Sequence, residues 1–165
     1  MSAAGTVRRA PVTRDDWETP QPLFDLLNRE FQFTIDGAAN ADNRKCPRWL
    51  GPGSAIAEDA FTWRPMQIQP EIVWCNPPYG SGLGAWMALF ATWAMAGADV
   101  VALVPNATDA RWFRDGVSTA TEVRLLSGRV QFVGTTSSNP SGSALFIWRY
   151  HWLADACRIR MWDWR

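Results

Sequence analysis

The chain has 165 residues, of which 47% are apolar, so it can form one domain with a substantial core. Sixteen basic and sixteen acidic residues cancel, which excludes a general attraction for polyanions and confines any nucleic-acid site to local patches. Three cysteines without CxxC spacing, and an N-terminus without an apolar targeting segment, favour a reduced cytoplasmic protein.

The first predicted helix follows a short polar segment. Residues 1–16 show no hydrophobic period and predict a flexible N-terminal arm. Thr19 is a candidate N-cap and Pro20 suits the first helical position. Apolar residues then recur at helical spacing, at Leu23, Phe24, Leu27 and Phe31. This helix is expected to be structural whatever else the segment does.

An acidic residue ends the first predicted strand, residues 33–36. Asp36 precedes small residues, among them Ala38, and such a loop at the carboxyl end of a strand lets backbone donors reach a ligand in doubly wound α/β sheets. Further along, Asp59 and Phe61 could accept a hydrogen bond from a purine amino group and stack on its ring. We interpret these positions as a candidate cofactor site.

The apolar run of residues 72–75 stops at Asn76, Pro77, Pro78 and Tyr79. Consecutive prolines cannot continue a strand ladder, and they hold the preceding backbone with little freedom. The Asn76 side-chain oxygen and the Pro77 carbonyl could each accept one N–H bond of an exocyclic amine, while Tyr79 stacks on its ring. The alternative is a proline turn that only closes a core strand. The pattern favours a methyl-acceptor site for a planar amine.

The remaining elements alternate between helices and strands. The uncharged run of residues 80–98 contains four glycines and lies between strands, so it predicts a packed helix rather than a membrane span. Strands are expected at residues 100–104, 122–126, 129–133 and 144–150, with a helix after residue 108. The sequence therefore predicts one α/β domain over residues 17–150, with a mostly parallel sheet and helices on both faces. A tail rich in tryptophan and arginine, residues 151–165, follows.

Basic residues provide the candidate contacts to nucleic acid. They are Arg44, Lys45, Arg48, Arg111 and Arg129, and arginine suits bidentate contacts with phosphates and base edges. An ordinary solvated surface is the alternative for each of them. The chain has one histidine and no cluster with the spacing of metal ligands, so no metal site is predicted.

Four motifs in order along the chain carry a family resemblance. Asp-Asp-Trp-Glu-Thr-Pro, Lys-Cys-Pro-Arg-Trp, Val-Trp-Cys-Asn-Pro-Pro-Tyr-Gly and Gly-Arg-Val-Gln-Phe resemble those of the small phage-type DNA N6-adenine methyltransferases, from residue 15 to about residue 150. The resemblance implies a Rossmann-like methyltransferase domain that transfers a methyl group from S-adenosylmethionine to adenine in DNA. It places Trp17, Thr19 and Pro20 over the methionine end of the cofactor, and Phe132 near the target base.

Two alternatives stay open at this point. A methyltransferase that acts on RNA adenine or on a protein glutamine amide would carry the same Asn-Pro-Pro-Tyr segment. A catalytically silent DNA-binding or anti-restriction module on the same scaffold is suggested by Asn40, which stands where the family usually has glycine. Neither the recognition sequence nor the oligomeric state follows from the residues.

Overall fold

The computed structural model of the protein describes residues 17–66, 70–135, 141–150 and 156–165, so the predicted arm lies outside the described residues. The described part contains three α-helices and a short 3₁₀ turn: α1 Gln21–Phe31, α2 Leu83–Met95, α3 Arg111–Val117 and the turn Ala60–Thr62. Its strands are β1 Ile35–Asp36, β2 Ile72–Cys75, β3 Asp99–Pro105, β4 Glu122–Leu126, β5 Ser143–Trp148 and β6 Arg158–Trp162.

The strands form one mixed sheet in the order β1-β2-β3-β5-β4-β6. β1, β2 and β3 run parallel to one another, β5 is antiparallel to both of its neighbours, and β6 is parallel to β4. The predicted α/β class is confirmed, but the prediction of a mostly parallel sheet is corrected to a mixed one. A parallel return needs a crossover element, and the described part of the connection between β4 and β5 contains no helix.

The sheet buries both of its faces under helices, as predicted. Along β3 the side chains alternate: Val100 and Ala102 pack into the core under α2 and α3, whereas Val101 and Leu103 pack into the core under α1. Trp74 of β2 belongs to the α1 side. The continuous apolar runs of the central strands therefore reflect burial on two faces.

Two predicted features of local structure are wrong. α1 has Pro20 at its N-cap position without a side-chain cap, and the hydroxyl of Thr19 is buried with no hydrogen-bond partner instead of capping the helix. Residues 129–133 form no strand, although Val130 and Phe132 are buried and their neighbours are exposed. This alternation comes from two side chains packing under α1, and it mimics the period of a strand without a ladder.

The predicted helix after residue 80 is confirmed as α2, and Gly97 follows it with a φ of 114°. This backbone conformation is easy for glycine and ends the helix. None of the helices in the described ranges is long and apolar enough to cross a membrane.

An ion-pair network around the buried Arg124 joins α1 to β4 and β6, the last two strands in the order of the sheet. The Arg124 guanidinium on β4 donates to Glu30 of α1 at 2.7 Å and to Glu122 at 2.9 Å, and Arg160 of β6 donates to Glu122 at 2.6 Å. Hydrogen bonds from Arg124 lower the pKa of Glu30, and the bonds from Arg124 and Arg160 outweigh burial in lowering the pKa of Glu122. Part of the C-terminal tail is thus built into the sheet, because β6 pairs with β4.

Candidate active site

Asn76 lies directly beyond the carboxyl end of β2, at the edge where ligands bind in open α/β sheets. Its side-chain Nδ2 donates a hydrogen bond of 2.6 Å to the backbone carbonyl of Trp17. Its Oδ1 is buried and has no hydrogen-bond partner in the part of the chain that the structure describes. Because a buried acceptor without a partner costs free energy, an oriented amide with an unused oxygen is suited to receive a donor from a ligand.

Three aromatic rings pack together beside Asn76, and we call Trp17, Tyr79 and Phe132 the aromatic cluster. Trp17 stacks on Phe132 with centroids 5.0 Å apart, and Tyr79 meets both rings edge-on at 5.8 Å. The Tyr79 hydroxyl donates to the carbonyl of Leu103 at 3.1 Å, and burial raises the pKa of Tyr79 well above its usual range. Tyr79 is therefore a fixed, neutral ring rather than an acid or a base.

A cavity of about 290 Å³ opens next to the aromatic cluster, beyond β1 and β2. Five of the predicted cofactor residues line it: Trp17, Thr19, Asp36, Ala38 and Asp59. Asn76 and Pro78, from the segment of residues 76–79, line it as well. Pro20 and Phe61 are not among the lining residues. Phe61 instead packs against Trp86, which lines the cavity, at 4.9 Å between centroids.

The charged groups that line the cavity are mainly acidic. Four carboxylates, those of Glu18, Asp36, Glu58 and Asp59, face one ammonium, that of Lys45. Lys45 is itself neutralised by Glu18, with Nζ and Oε1 2.8 Å apart. Such a site favours a ligand that carries positive charge.

Asp36 organises the loop that forms one wall of the cavity. Its carboxylate accepts hydrogen bonds from the backbone N–H groups of Lys45, at 2.9 Å, and Ala38, at 3.2 Å. Burial raises its pKa to about 6, and these two hydrogen bonds oppose the shift. The carboxylate thus fixes the loop backbone as well as lining the cavity.

Asn40, at the position where the family usually has glycine, does not adopt the left-handed backbone conformation, since Gln32 is the one non-glycine residue with positive φ in the described part of the chain. Its side-chain oxygen accepts from the backbone N–H groups of Asp42, at 2.9 Å, and Asn43, at 3.1 Å. Asn40 therefore stabilises a turn at the cavity wall, a role for which glycine has no side chain.

Sequence reasoning missed the segment at residues 50–52, which also lines the cavity. Gly51 has a φ of 134°, and a Cβ atom at this position would lie 2.1 Å from the carbonyl oxygen of Ala39. Only glycine allows this close approach. The Gly51-Pro52-Gly53 sequence was a signal of an unusual turn, but its position against Ala39 depends on the tertiary fold.

The five basic residues predicted to bind nucleic acid lie in different surroundings. The Arg48 guanidinium forms two bonds of 2.9 Å with Glu71, and Lys45 is buried against Glu18. Arg44 is exposed and lies over the ring of Trp49 at 4.7 Å. Arg111 on α3 is also exposed, 3.5 Å from Asp115, and the carbonyl of Arg129 accepts from Arg165. Lys45 and Arg48 are thus committed to ion pairs within the protein.

Comparison with known proteins addresses the identity of this site. A search of curated proteins found no match to the chain. A sequence model of one family, DNA N-6-adenine-methyltransferase (Dam), matches residues 8–159. This range includes the cavity, the aromatic cluster and the Asn76 segment. Because the match covers nearly the whole sequence, the chain belongs to the DNA N-6-adenine-methyltransferase (Dam) family, enzymes that methylate the N6 amino group of adenine in DNA with S-adenosylmethionine as methyl donor.

Proposed function

We propose that residues 76–79 form the methyl-acceptor site of this enzyme and that the adjoining cavity binds S-adenosylmethionine. The observation that carries the proposal is the Asn76 amide, whose Nδ2 is held by Trp17 while its buried Oδ1 has no partner. The same residue lines the acidic cavity, so the acceptor and the cofactor site meet there. We also propose that the mixed sheet is a short form of the Rossmann-like methyltransferase sheet.

The cavity has the chemistry that this cofactor requires. S-adenosylmethionine carries a sulfonium and an ammonium group, and the four lining carboxylates favour a cation. The buried Thr19 hydroxyl has no partner among the described residues and lines the same cavity, so it can bind a polar group of the ligand. When bound, the cofactor supplies a methyl group already activated for transfer by the positive sulfur.

In this proposal, Asn76 and Pro77 are the residues that bind the reacting amino group. The Asn76 Oδ1 and the Pro77 carbonyl accept the two N6–H bonds of adenine, which draws the nitrogen lone pair out of conjugation with the ring. These acceptors would thereby free the lone pair to take the methyl group that bound S-adenosylmethionine would supply, with the sulfur leaving as the neutral thioether and one N6 proton passing to solvent. Preorganised acceptors of this kind contribute by alignment and charge stabilisation.

The target adenine must leave the duplex to reach Asn76, because the amino group inside a base pair is already hydrogen-bonded. Flipping costs a few kcal/mol of stacking and pairing. The aromatic cluster supplies ring surfaces next to the acceptor on which a flipped base can recover stacking energy. Phe132 and Tyr79 are the two rings we assign to this role.

We assign DNA backbone contacts to Arg44, Arg111 and Arg129. Arg44 and Arg111 have exposed side chains, and Arg129 belongs to the segment that carries Phe132. Lys45 and Arg48 instead stabilise the fold, since a phosphate contact would require breaking their ion pairs. We place the enzyme in the cytoplasm, where DNA and S-adenosylmethionine are available, and a phage or restriction-modification context fits the motifs.

The proposal is tested by incubating the protein with methyl-labelled S-adenosylmethionine and unmethylated duplex DNA, followed by nucleoside analysis. We expect the label in N6-methyladenine with wild-type protein and its loss in the Asn76→Ala variant. Label in cytosine, or equal labelling by both proteins, would contradict the assigned site.

A further inference from the structure

The Trp17 indole contacts both other rings of the aromatic cluster. It stacks on Phe132 with 23° between the planes, and it meets Tyr79 at 75°. An indole is a flat two-ring system of nearly the same size as adenine. A purine that replaced it would therefore find the same stacked surface on Phe132 and the same edge contact with Tyr79.

The same residue is bonded to the acceptor amide. The Trp17 carbonyl is bonded to Asn76 Nδ2 at 2.6 Å, and Asn76 Oδ1 is buried without a partner. A base that approaches from solvent cannot reach a buried atom until a covering group moves. The closed arrangement described here is therefore a state that precedes entry of the target base.

Of the three rings, Trp17 has the fewest restraints on its side chain. Tyr79 is held by its bond to Leu103, and Phe132 is only 1% exposed. The Trp17 ring is partly exposed, and its indole N–H has no hydrogen-bond partner among the described residues. Its backbone is held by Asn76, and the adjacent Glu18 carbonyl accepts from the N–H of Val133 at 2.9 Å. The ring can therefore rotate away while its carbonyl keeps the Asn76 amide oriented.

We infer that the Trp17 indole occupies the position of the target adenine in the free enzyme and that the flipped base displaces it. The inference rests on the proposed role of Asn76. It makes Trp17 a residue that opposes base entry, because an entering base must replace the stacking it removes. Stacking is available to every base, so it does not discriminate. Only an exocyclic amine also satisfies the Asn76 acceptor.

Displacement reduces apparent DNA affinity. When the competent state is a minor population, the apparent dissociation constant rises by the inverse of that fraction. Removing the ring should remove this reduction, so the apparent affinity for DNA should rise. Trp17→Ala retains the backbone carbonyl that orients Asn76, so the change isolates the ring.

The position of the ring can be tested directly by fluorine NMR on protein labelled with 5-fluorotryptophan, with the Trp17 resonance assigned from the Trp17→Phe variant. The probe is a duplex that the wild-type enzyme methylates, added with S-adenosylhomocysteine so that no turnover occurs. We expect the Trp17 resonance to move towards the position of a solvent-exposed tryptophan. A resonance unchanged at saturating DNA would overturn the inference, and this measurement does not depend on a variant that folds poorly.

A matched pair of variants supplies the kinetic test. We expect Trp17→Ala to lower the KM for DNA by about tenfold and Phe132→Ala to raise it by about tenfold, on the scale of one stacking contact. Shifts in the same direction would make Trp17 part of the stacking platform, and an unchanged KM for Trp17→Ala would remove its ring from the entry step. Either result contradicts the inference.

Asn76→Ala separates this inference from the proposed function. If that variant methylates DNA at the wild-type rate, the proposed acceptor is wrong whatever Trp17 does. If it is inactive while the Trp17 resonance stays fixed on DNA binding, the acceptor stands and the displacement of Trp17 is wrong.

Discussion

The acidic cavity and the aromatic cluster adjoin at Trp17 and Asn76, but they are held together by different forces. The cavity wall is fixed by hydrogen bonds from backbone N–H groups to Asp36, with distances of 2.9 and 3.2 Å. The aromatic cluster is fixed mainly by ring packing, where each pair contributes about 0.5–1.5 kcal/mol beyond its buried area. The cavity is therefore prepared for a charged ligand, whereas the cluster can exchange one ring for another at low cost.

The largest effect we expect comes from a change outside both regions. Arg124→Ala leaves Glu30 and Glu122 without their buried partner and should lower the free energy of unfolding by about 3 kcal/mol. This is the low end for a broken buried pair, because Glu30 is partly exposed and screened. Urea unfolding measures the loss, and the S-adenosylmethionine Kd of the folded fraction should not change.

The pH dependence of this network provides its control. The pKa values of Glu30 and Glu122 are lowered in the folded state, so their stabilisation is present above the unfolded value of 4.5 and is lost as pH falls below it. Wild-type protein should therefore lose stability in acid more steeply than Arg124→Ala. Parallel curves would show that the network contributes little.

Asn76→Ala affects the point where the two regions meet. We expect a fall in single-turnover rate of about a hundredfold or more, the scale for losing one preorganised polar partner. The cofactor Kd should change little. A structural cap at the end of β2 would produce the opposite pattern, namely a lower Tm with near-normal turnover in the folded fraction.

Asp36→Asn changes the cavity and leaves the aromatic cluster alone. The amide keeps one acceptor for the loop but loses the charge, so we expect the S-adenosylmethionine Kd to rise by about tenfold, roughly the worth of one charge-assisted contact. Titration calorimetry of both proteins measures it. Equal affinities would remove the Asp36 charge from cofactor binding.

The wild type and Asp36→Asn should also differ in how their stability and cofactor affinity depend on pH. Burial raises the pKa of Asp36 from 3.8 to about 6. Its contribution to stability is therefore complete below about pH 4 and is lost as pH rises to about 6, on the order of 3 kcal/mol at most. Asp36→Asn should lack this change. Cofactor affinity of the wild type should fall below pH 6 as the carboxylate is protonated, whereas the variant should show a flat profile.

The smallest effect belongs to the DNA surface outside both regions. Arg111→Ala should weaken DNA binding a few-fold and reduce the slope of log affinity against log salt by about one unit, as for one lost phosphate contact. Arg48→Ala is the matched control, since its guanidinium is engaged by Glu71. An unchanged slope for Arg111→Ala would remove α3 from the DNA interface.

The sequence alone indicated the α/β class, the helix of residues 83–95 and the end of β2 before residues 76–79, because these depend on local patterns. Apolar runs report burial, and consecutive prolines end a strand wherever they occur. It also placed Asp36 and Asp59 in one site, since both line the cavity. The prediction of a strand at residues 129–133 was wrong, because burial alternates there although no partner strand forms a ladder with them.

Only the tertiary structure decided which groups were already engaged. Arg48 and Lys45 look like free cations in the sequence, but Glu71 and Glu18 neutralise them from segments 23 and 27 residues away. The bond from Asn76 to the Trp17 carbonyl spans 59 residues, and no local pattern specifies it. Residue types and their spacing determine what chemistry is possible at a position. Long-range packing determines which donors and acceptors are left over for a ligand.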